Sequence, residues 1–293
     1  MQKLAAWSWR FLRALLIIGI SYIIIFPLIS KISTSLMSQA DLWDATVRWI
    51  PRNWTLGNYS LVSELMNYPT ALRNSFALTL VVSVFQLVAC TIIGYGFARL
   101  EFPGSNILFT LVLLTLMIPP QVVIIPQYLN FRFFNIYGLI PGTGINLIGS
   151  FWPFILTALT GAGMRNGIFI FIMRQFFMGM PTSIEEAAYV DGAGPFTCFY
   201  TVMLPNAVPA LVTVFLFAFV WQWNDYYHTS LLMGGKELLT VTIGRLGSGT
   251  FDPETLTLRN NTGMLMIIAP LLLLYTFMQR YFVESVERTG LVE

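Results

Sequence analysis

The residues best suited to charge chemistry lie in one short polar run, PTSIEEAAYVDGAGPFTCFYTVMLP, from Pro181 to Pro205. Glu185, Glu186 and Asp191 supply carboxylates, Ala187 and Ala188 small surfaces, and Gly192 and Gly194 turn points. Ser183 with Glu186, and Thr182 with Glu185, are spaced as capping boxes, and acids in a first turn suit the helix dipole. A short helix over Ile184–Tyr189 should stop at Gly192 and Gly194, where positive φ is permitted. Pro195 suits the first position of a second helix. Phe196, Phe199, Tyr200 and Met203 recur at helical spacing and predict its apolar face. The run reads as helix, glycine turn, helix. Two readings fit: a connector between spans, or a knob whose alanines and acids enter a cleft on a partner.

Other chemistries lack their residues. The chain has one histidine, His228, and two cysteines, Cys90 and Cys198. No Cys/His cluster of zinc spacing exists, and His228 reads as a polar residue at a helix boundary. Gly235 and Lys236 are followed by Glu237, so there is no phosphate-binding P-loop, and neither HExxH nor GxSxG occurs.

The elements that must position the run are set by composition. Of 293 residues, 56% are hydrophobic and 10% charged, against about 25% charged in soluble domains. Lipid accepts such a surface and water does not. A net charge of +2 gives no footprint for nucleic acid. The fold class is all-α, a polytopic membrane protein, with a single membrane domain over residues 1–293. Six stretches approach the roughly 20 apolar residues that a spanning helix needs: Phe11–Ser30, Phe76–Phe97, Ile107–Tyr128, Gly149–Phe177, Val202–Trp221 and Met264–Phe282. The first is longer than the apolar core of a signal peptide and reads as an uncleaved span. The third should kink or unwind at Pro119 and Pro120. The fourth contains Arg165 and Asn166 within Gly161–Gly167, and a central arginine costs about 3 kcal/mol on insertion scales. Either that span is broken, or Arg165 faces a wet cavity or a partner.

Outside the spans, residues 31–75 form a loop or small cap with Trp43, Trp49 and Trp54, and two further loops run over Asn130–Ile148 and Gln222–Gly263. An even number of spans puts both termini on one side. Lys3, Arg10, Arg13, Arg99, Arg174, Arg280 and Arg288 lie on that side, close to span ends, which favours both termini inside. Polar or aromatic side chains within or beside spans mark a solute path. The candidates are Gln86, Asn146, Arg165, Asn166, Trp221, Trp223, Asn224 and Asp225. Each has a plainer role: interfacial belt for Trp221 and Trp223, a loop cap for Asp225, a helix–helix hydrogen bond for Gln86.

Glu186, Ala187, Ala188, Gly192, Val202, Leu204 and Pro205, with Asp191 and Ala193 between, closely resemble the Glu-Ala-Ala loop of permease subunits in binding-protein-dependent ABC importers. NSFALTLVVSVFQLVACTIIGYGFARLEFPG, LMIPPQVVIIPQYL, IFIFIMRQFFMGMP and the Trp223-Asn224-Asp225 triplet resemble the sugar branch of that family. The QRYFV ending, Gln279–Val283, resembles its smaller permease, of the maltose and glycerol-phosphate type. Gly161–Gly167, Ser285 and the acidic end depart from the pattern. The resemblance implies the type I importer fold, with residues 181–205 as a cytoplasmic coupling loop in the cell (inner) membrane. It implies a second permease, two ATPase subunits and an external solute-binding protein as partners. It assigns Glu185, Glu186, Ala187, Ala188, Asp191, Gly192 and Ala193 to the ATPase contact, Glu186 as the ion-pairing group, and Gly194 and Pro205 to the hinge. No cofactor is implied for this chain, ATP and magnesium belonging to the ATPase. A secondary transporter, or a permease for a non-sugar solute, is the alternative.

Overall fold

A computed structural model describes residues 2–136, 138, 142 and 144–290. Its helices follow the apolar runs. In chain order they are α1 (Gln2–Ser35), α2 (Gln39–Trp43), α3 (Gly57–Met66), α4 (Tyr68–Arg99), α5 (Ser105–Leu114), α6 (Pro120–Arg132), α7 (Trp152–Leu159) and α8 (Asn166–Gly179). Then come α9 (Thr182–Val190), α10 (Pro195–Cys198), a π-helical turn (Phe199–Met203), α11 (Leu204–Asn206), α12 (Val208–Asn224), α13 (Tyr227–Leu232), α14 (Leu239–Thr242) and α15 (Pro253–Gly290). Among the described residues the ordered elements are helical, apart from two isolated bridges, Met37 with Trp54 and Phe134 with Ile145.

Three helices are long and apolar enough to cross a membrane unbroken: Trp9–Ser35 within α1, α4, and Pro253–Gln279 within α15. They contain the expected first and second spans and the sixth from Met264 to Gln279. The other three expected spans are each interrupted. The third divides into α5 and α6 over Thr115–Pro119, where Pro119 and Pro120 withhold backbone donors. The fourth divides into α7 and α8 over Thr160–Arg165, so the span is broken, and Arg165 also lines a cavity there. The fifth starts in the π-helical turn and bends by 75° at Ala207, between Pro205 and Pro209. Breaks of this kind are tolerated at membrane depth only where protein or a cavity satisfies the freed backbone groups.

The chain forms two packing units, Met1–Pro69 with Thr242–Pro270, and Thr70–Val241 with Leu271–Glu293. In the first, the segment after α1 folds around a buried carboxylate. Asp41, 2% exposed, accepts the Arg52 and Asn53 backbone amides at 2.9 and 2.8 Å and the Asn53 side-chain amide at 2.9 Å. The Asn53 amide is the strongest of the influences that hold its carboxyl below the usual range. Val62 and Met66 of α3 close against Gly263 of α15, where a Cβ would come within 2.7 Å of Leu246. In the second unit, Cys90, Phe169, Met173, Phe177, Cys198, Met203, Ala207 and Val214 form a core between α4, α8 and α12. The 130–148 loop crosses residues outside the described set, as do the acidic end and the side chains of Lys3, Arg280, Ser285 and Arg288.

Candidate functional site: an anchored loop and a polar cavity

The loop is built from α8 onward. Helix α8 ends at Gly179, and α9 leaves at a bend of 70°. Neither capping box forms. Pro181 occupies the position before the helix, so Thr182 and Ser183 are already helical and cap nothing. The helix is longer than the expected 184–189 and ends in a Schellman motif. Gly192 has φ +85°, its amide reaches the Tyr189 carbonyl at 3.0 Å, and the Ala193 amide reaches the Ala188 carbonyl at 2.9 Å. Ala188 is buried and Ala193 packs against the same core, which supplies the apolar contact that accompanies the motif. Gly194 differs from expectation. Its φ of −80° and ψ of 169° are ordinary extended backbone, so it precedes Pro195 without needing positive φ. The expected apolar face is also rotated: Cys198, Phe199 and Met203 are buried, while Phe196 and Tyr200 are 82% and 61% exposed.

The two glutamates have opposite fates. Glu185 turns inward and is 8% exposed. Its Oε2 lies 3.2 Å from Arg99 Nε, and its Oε1 accepts the Tyr95 hydroxyl at 3.0 Å. Arg99 Nη2 also donates to the Met180 carbonyl at 2.6 Å, so one guanidinium at the end of α4 holds both the end of α8 and the start of α9. Tyr95 packs on Phe177 and Phe199 at 5.3 and 4.7 Å, which fixes the π-helical turn to the same point. Burial, and then the Glu185 carboxylate, push the adjacent Cys198 thiol up. Glu186 and Ala187 face outward with Tyr189, Val190, Asp191 and Phe196. Among the described residues neither Glu186 nor Asp191 takes part in an ion pair. An acidic, partly apolar surface is thus mounted on an internal anchor.

The second region is a cavity of about 390 Å³ where the third and fourth spans are broken. Thr115–Pro120 and Gly161–Gly167 line it, with Val123, Gln127 and His228. Gln86, 2% exposed, donates to the Met164 carbonyl at 2.8 Å and the Asn166 side-chain oxygen at 2.7 Å. Asn166 donates in turn to the Ala158 carbonyl at 3.1 Å. These bonds satisfy backbone groups that the break leaves open. Arg165 places its guanidinium over Trp221, 5.4 Å from the ring centroid, and Trp221 stacks on Phe169. A smaller cavity adjoins Gln86, Gln127, Gln222, Asp225 and His228. Asp225 accepts the Thr229 amide and hydroxyl, both at 2.8 Å, and pairs with His228 Nδ1 at 3.1 Å.

Five of the expected path residues therefore meet around this site: Gln86, Arg165, Asn166, Trp221 and Asp225. Three do not. Asn146 is exposed and accepts the Ile148 amide within its own turn. Asn224 donates back to the Val220 carbonyl, and Trp223 stacks on Phe219 and lines neither cavity. Sequence reasoning passed over Gln127, Gln222 and His228. Gln127 was open to the criterion that found Gln86, a polar side chain in a span, and Gln222 lies one residue past Trp221, the expected end of the fifth. His228 was not open to it, because a lone histidine gains a partner only when α13 folds it onto Asp225. Among the described residues no group of His, Cys, Asp and Glu is gathered as a metal site requires.

Comparison with known proteins agrees with this geometry. Residues 90–288, more than half of the chain, match the family described as binding-protein-dependent transport system inner membrane component. The arabinooligosaccharides transport system permease AraQ of Halalkalibacterium halodurans is 28% identical over 92% of this chain and 92% of its own. The sn-glycerol-3-phosphate transport system permease UgpE of Pectobacterium atrosepticum is 28% identical over 94% of each. A chain in the crystal structure of a bacterial ABC transporter that imports the acidic polysaccharide alginate shares the fold, with a TM-score of 0.76 at 22% identity over 94% of this chain and 96% of that one. An all-helical chain with broken spans and an outward acidic loop, matched over this length, belongs to the family of binding-protein-dependent transport system inner membrane components, the multi-pass permeases of ABC importers.

Proposed function

We propose that this chain forms half of the path by which a carbohydrate or related solute crosses the cell membrane, and couples that path to ATP hydrolysis on separate subunits. The partners are a second permease, two ATPase subunits and an external solute-binding protein. ATP and magnesium belong to the ATPase pair. Both termini and residues 181–205 are cytoplasmic, and residues 31–75 form an external cap. The carbohydrate reading is supported by the cargo named for AraQ, an arabinooligosaccharide.

The observation that carries the coupling role is the division of labour between Glu185 and Glu186. A knob that only joined two spans would have no use for a buried ion pair behind an outward acid. With Glu185 anchored, Glu186, Ala187, Asp191 and Gly192 form a rigid face that enters a groove on the ATPase, Glu186 opposite an arginine or lysine. Movement of that face reaches the spans through Arg99 on α4, through α8, and, past the hinge positions Gly194 and Pro205, through the bend at Ala207 into α12. The outward-facing switch then follows closure of the ATPase pair.

Co-purification in mild detergent tests this. Wild type should retain the ATPase and the second permease. Glu186→Lys should lose most of the ATPase while thermal stability changes by no more than about 0.5 kcal/mol, as for an exposed position. Gly192→Val, which cannot hold the positive φ without strain, should lose it as well. Equal recovery of the ATPase by all three chains would remove the coupling role from this loop.

A further inference from the structure

Two spans open at one place. The N-terminal ends of α6 and α8 both face the 390 Å³ cavity, since Pro120, Asn166 and Gly167 line it. Neither helix start is capped by a side chain. Each helix end carries roughly half a positive charge, although the Val122, Asn166 and Ile168 amides already bond to the Pro119, Gly163 and Arg165 carbonyls. Arg165 stands just before α8 with φ +65°, one of two non-glycine residues at positive φ among the described residues. It joins no ion pair among the described residues, and no Asp or Glu lines the larger cavity. A cation in mid-span and two dipole ends thus converge on this cavity, while the Asp225 carboxylate of the adjoining one is already held by His228 and Thr229. Opened spans whose half-helix N-termini face one point are suited to a negatively charged solute group.

A separate observation points the same way. Gln222 is 5% exposed, and its Nε2 has no hydrogen-bond partner. Gln127 is half-buried, and its Oε1 is covered and has no hydrogen-bond partner among the described residues. Both line the smaller cavity, which shares Gln127, Gly163, Met164 and His228 with the larger one. Each open group disfavours the folded state until something bonds to it. The smaller cavity is about 20 Å³, room for a hydroxyl reaching in from the larger one rather than for a ring.

We infer that this cavity is a solute subsite for an anionic carbohydrate, with a carboxylate or phosphate held by Arg165 and the two helix ends, and ring hydroxyls bonded by Gln127 and Gln222. The inference rests on the carbohydrate reading above and narrows it to charged sugars. Trp221 beneath the guanidinium gives it a fluorescent reporter.

The test is made on the purified complex of this chain with its partner subunits, by equilibrium dialysis against labelled digalacturonate, glucose 6-phosphate and neutral lactose. One charged sugar should bind at least about tenfold tighter than lactose. Arg165→Gln should abolish that preference and the Trp221 response, with lactose binding kept within about threefold. Arg165→Lys should keep part of the preference. Stronger binding of digalacturonate assigns a carboxylate, and of glucose 6-phosphate a phosphate. Equal binding of all three by wild type would overturn the anion subsite and leave the carbohydrate reading standing. Binding of none, in a complex that takes up a solute other than a sugar, would overturn both. The wild-type comparison decides the matter even where a variant fails to assemble.

Discussion

The coupling loop and the broken-span cavity handle charge in opposite ways. In the loop a carboxylate is buried against its own arginine, Glu185 on Arg99 at 3.2 Å, and that closure frees the next residue, Glu186, to face outward. In the cavity an arginine is exposed with no carboxylate among the described ion pairs, beside two uncapped helix ends. The first is complete within the chain and offers a partner a rigid shape. The second is incomplete and offers a ligand a charge. Both hang on α4, which carries Gln86 at one level and Arg99 about 20 Å further along at 1.5 Å per residue. Helix α8 starts in the cavity and ends at the loop, so the two regions share their walls.

The most damaging change should be one that opens the closed region. Arg99→Met leaves Glu185 with the Tyr95 hydroxyl alone in a site that excludes water. Removing one partner of a buried pair costs about 3–5 kcal/mol, much of it from stranding the other charge. Adding Glu185→Gln to Arg99→Met should recover a large part of that loss, since the stranded charge is gone. Thermal unfolding of the purified complex reads both. Glu186→Gln is the control, expected within about 0.5 kcal/mol of wild type. A loss no greater for Arg99→Met than for Glu186→Gln would erase the contrast between inner and outer acid.

A smaller effect should come from the joint between the regions. At Gly94 a Cβ would meet Met173 Cβ at 2.6 Å, the Arg174 amide nitrogen at 3.0 Å and the Ile170 carbonyl at 3.2 Å. Two of these are backbone and cannot swing aside. Gly94→Val should therefore push α4 from α8 and destabilise by about 1–3 kcal/mol. Gly96, on the same helix, has nothing within 4 Å of its would-be Cβ. Gly96→Ala should be neutral or gain up to about 1 kcal/mol of helix propensity. Equal tolerance at both glycines would mean that α4 and α8 are not in register-fixing contact.

The same contrast explains what could be read in advance. The loop is contiguous, so its helix, its turn at Gly192 and its second start at Pro195 follow from local chemistry. The parts misread, the capping boxes and the exposed Phe196 and Tyr200, depend on where the loop packs. Thr182 could cap only if the chain before it were free, and Pro181 takes that place. Likewise the positions of the spans follow from apolar length, and the break at Pro119 from missing donors. The cavity is discontinuous: residues 115–120, 127, 161–167 and 222–228 are neighbours only after the spans fold back. Gln127 and Gln222 look like lipid-span oddities until the cavity exists, and the Asp225–His228 pair needs a helix that no periodicity announces.

The smallest effect is a rate, and its sign separates two accounts of the anchor. Cys198 is fully buried, and burial first, then Glu185, hold its thiol above the ordinary range, while Arg99 pulls it down. In a Cys90→Ala background, labelling of Cys198 by N-ethylmaleimide should be slow near pH 8 and rise only as pH climbs well above the usual thiol value of about 8.5. Because the thiol is raised on folding, its contribution to stability is present below that value and is lost as pH climbs through the folded one. Arg99→Met removes the only nearby cation acting on the sulfur. If the anchor were merely electrostatic, that loss would raise the thiol further and slow labelling. If Arg99 holds α8, α9 and the π-helical turn together, its removal uncovers the sulfur and labelling accelerates. The mechanical account predicts acceleration, because exposure gates a buried thiol more strongly than one neighbouring charge does. Slower labelling of Arg99→Met than of the parent would show the loop to be held by its apolar core alone.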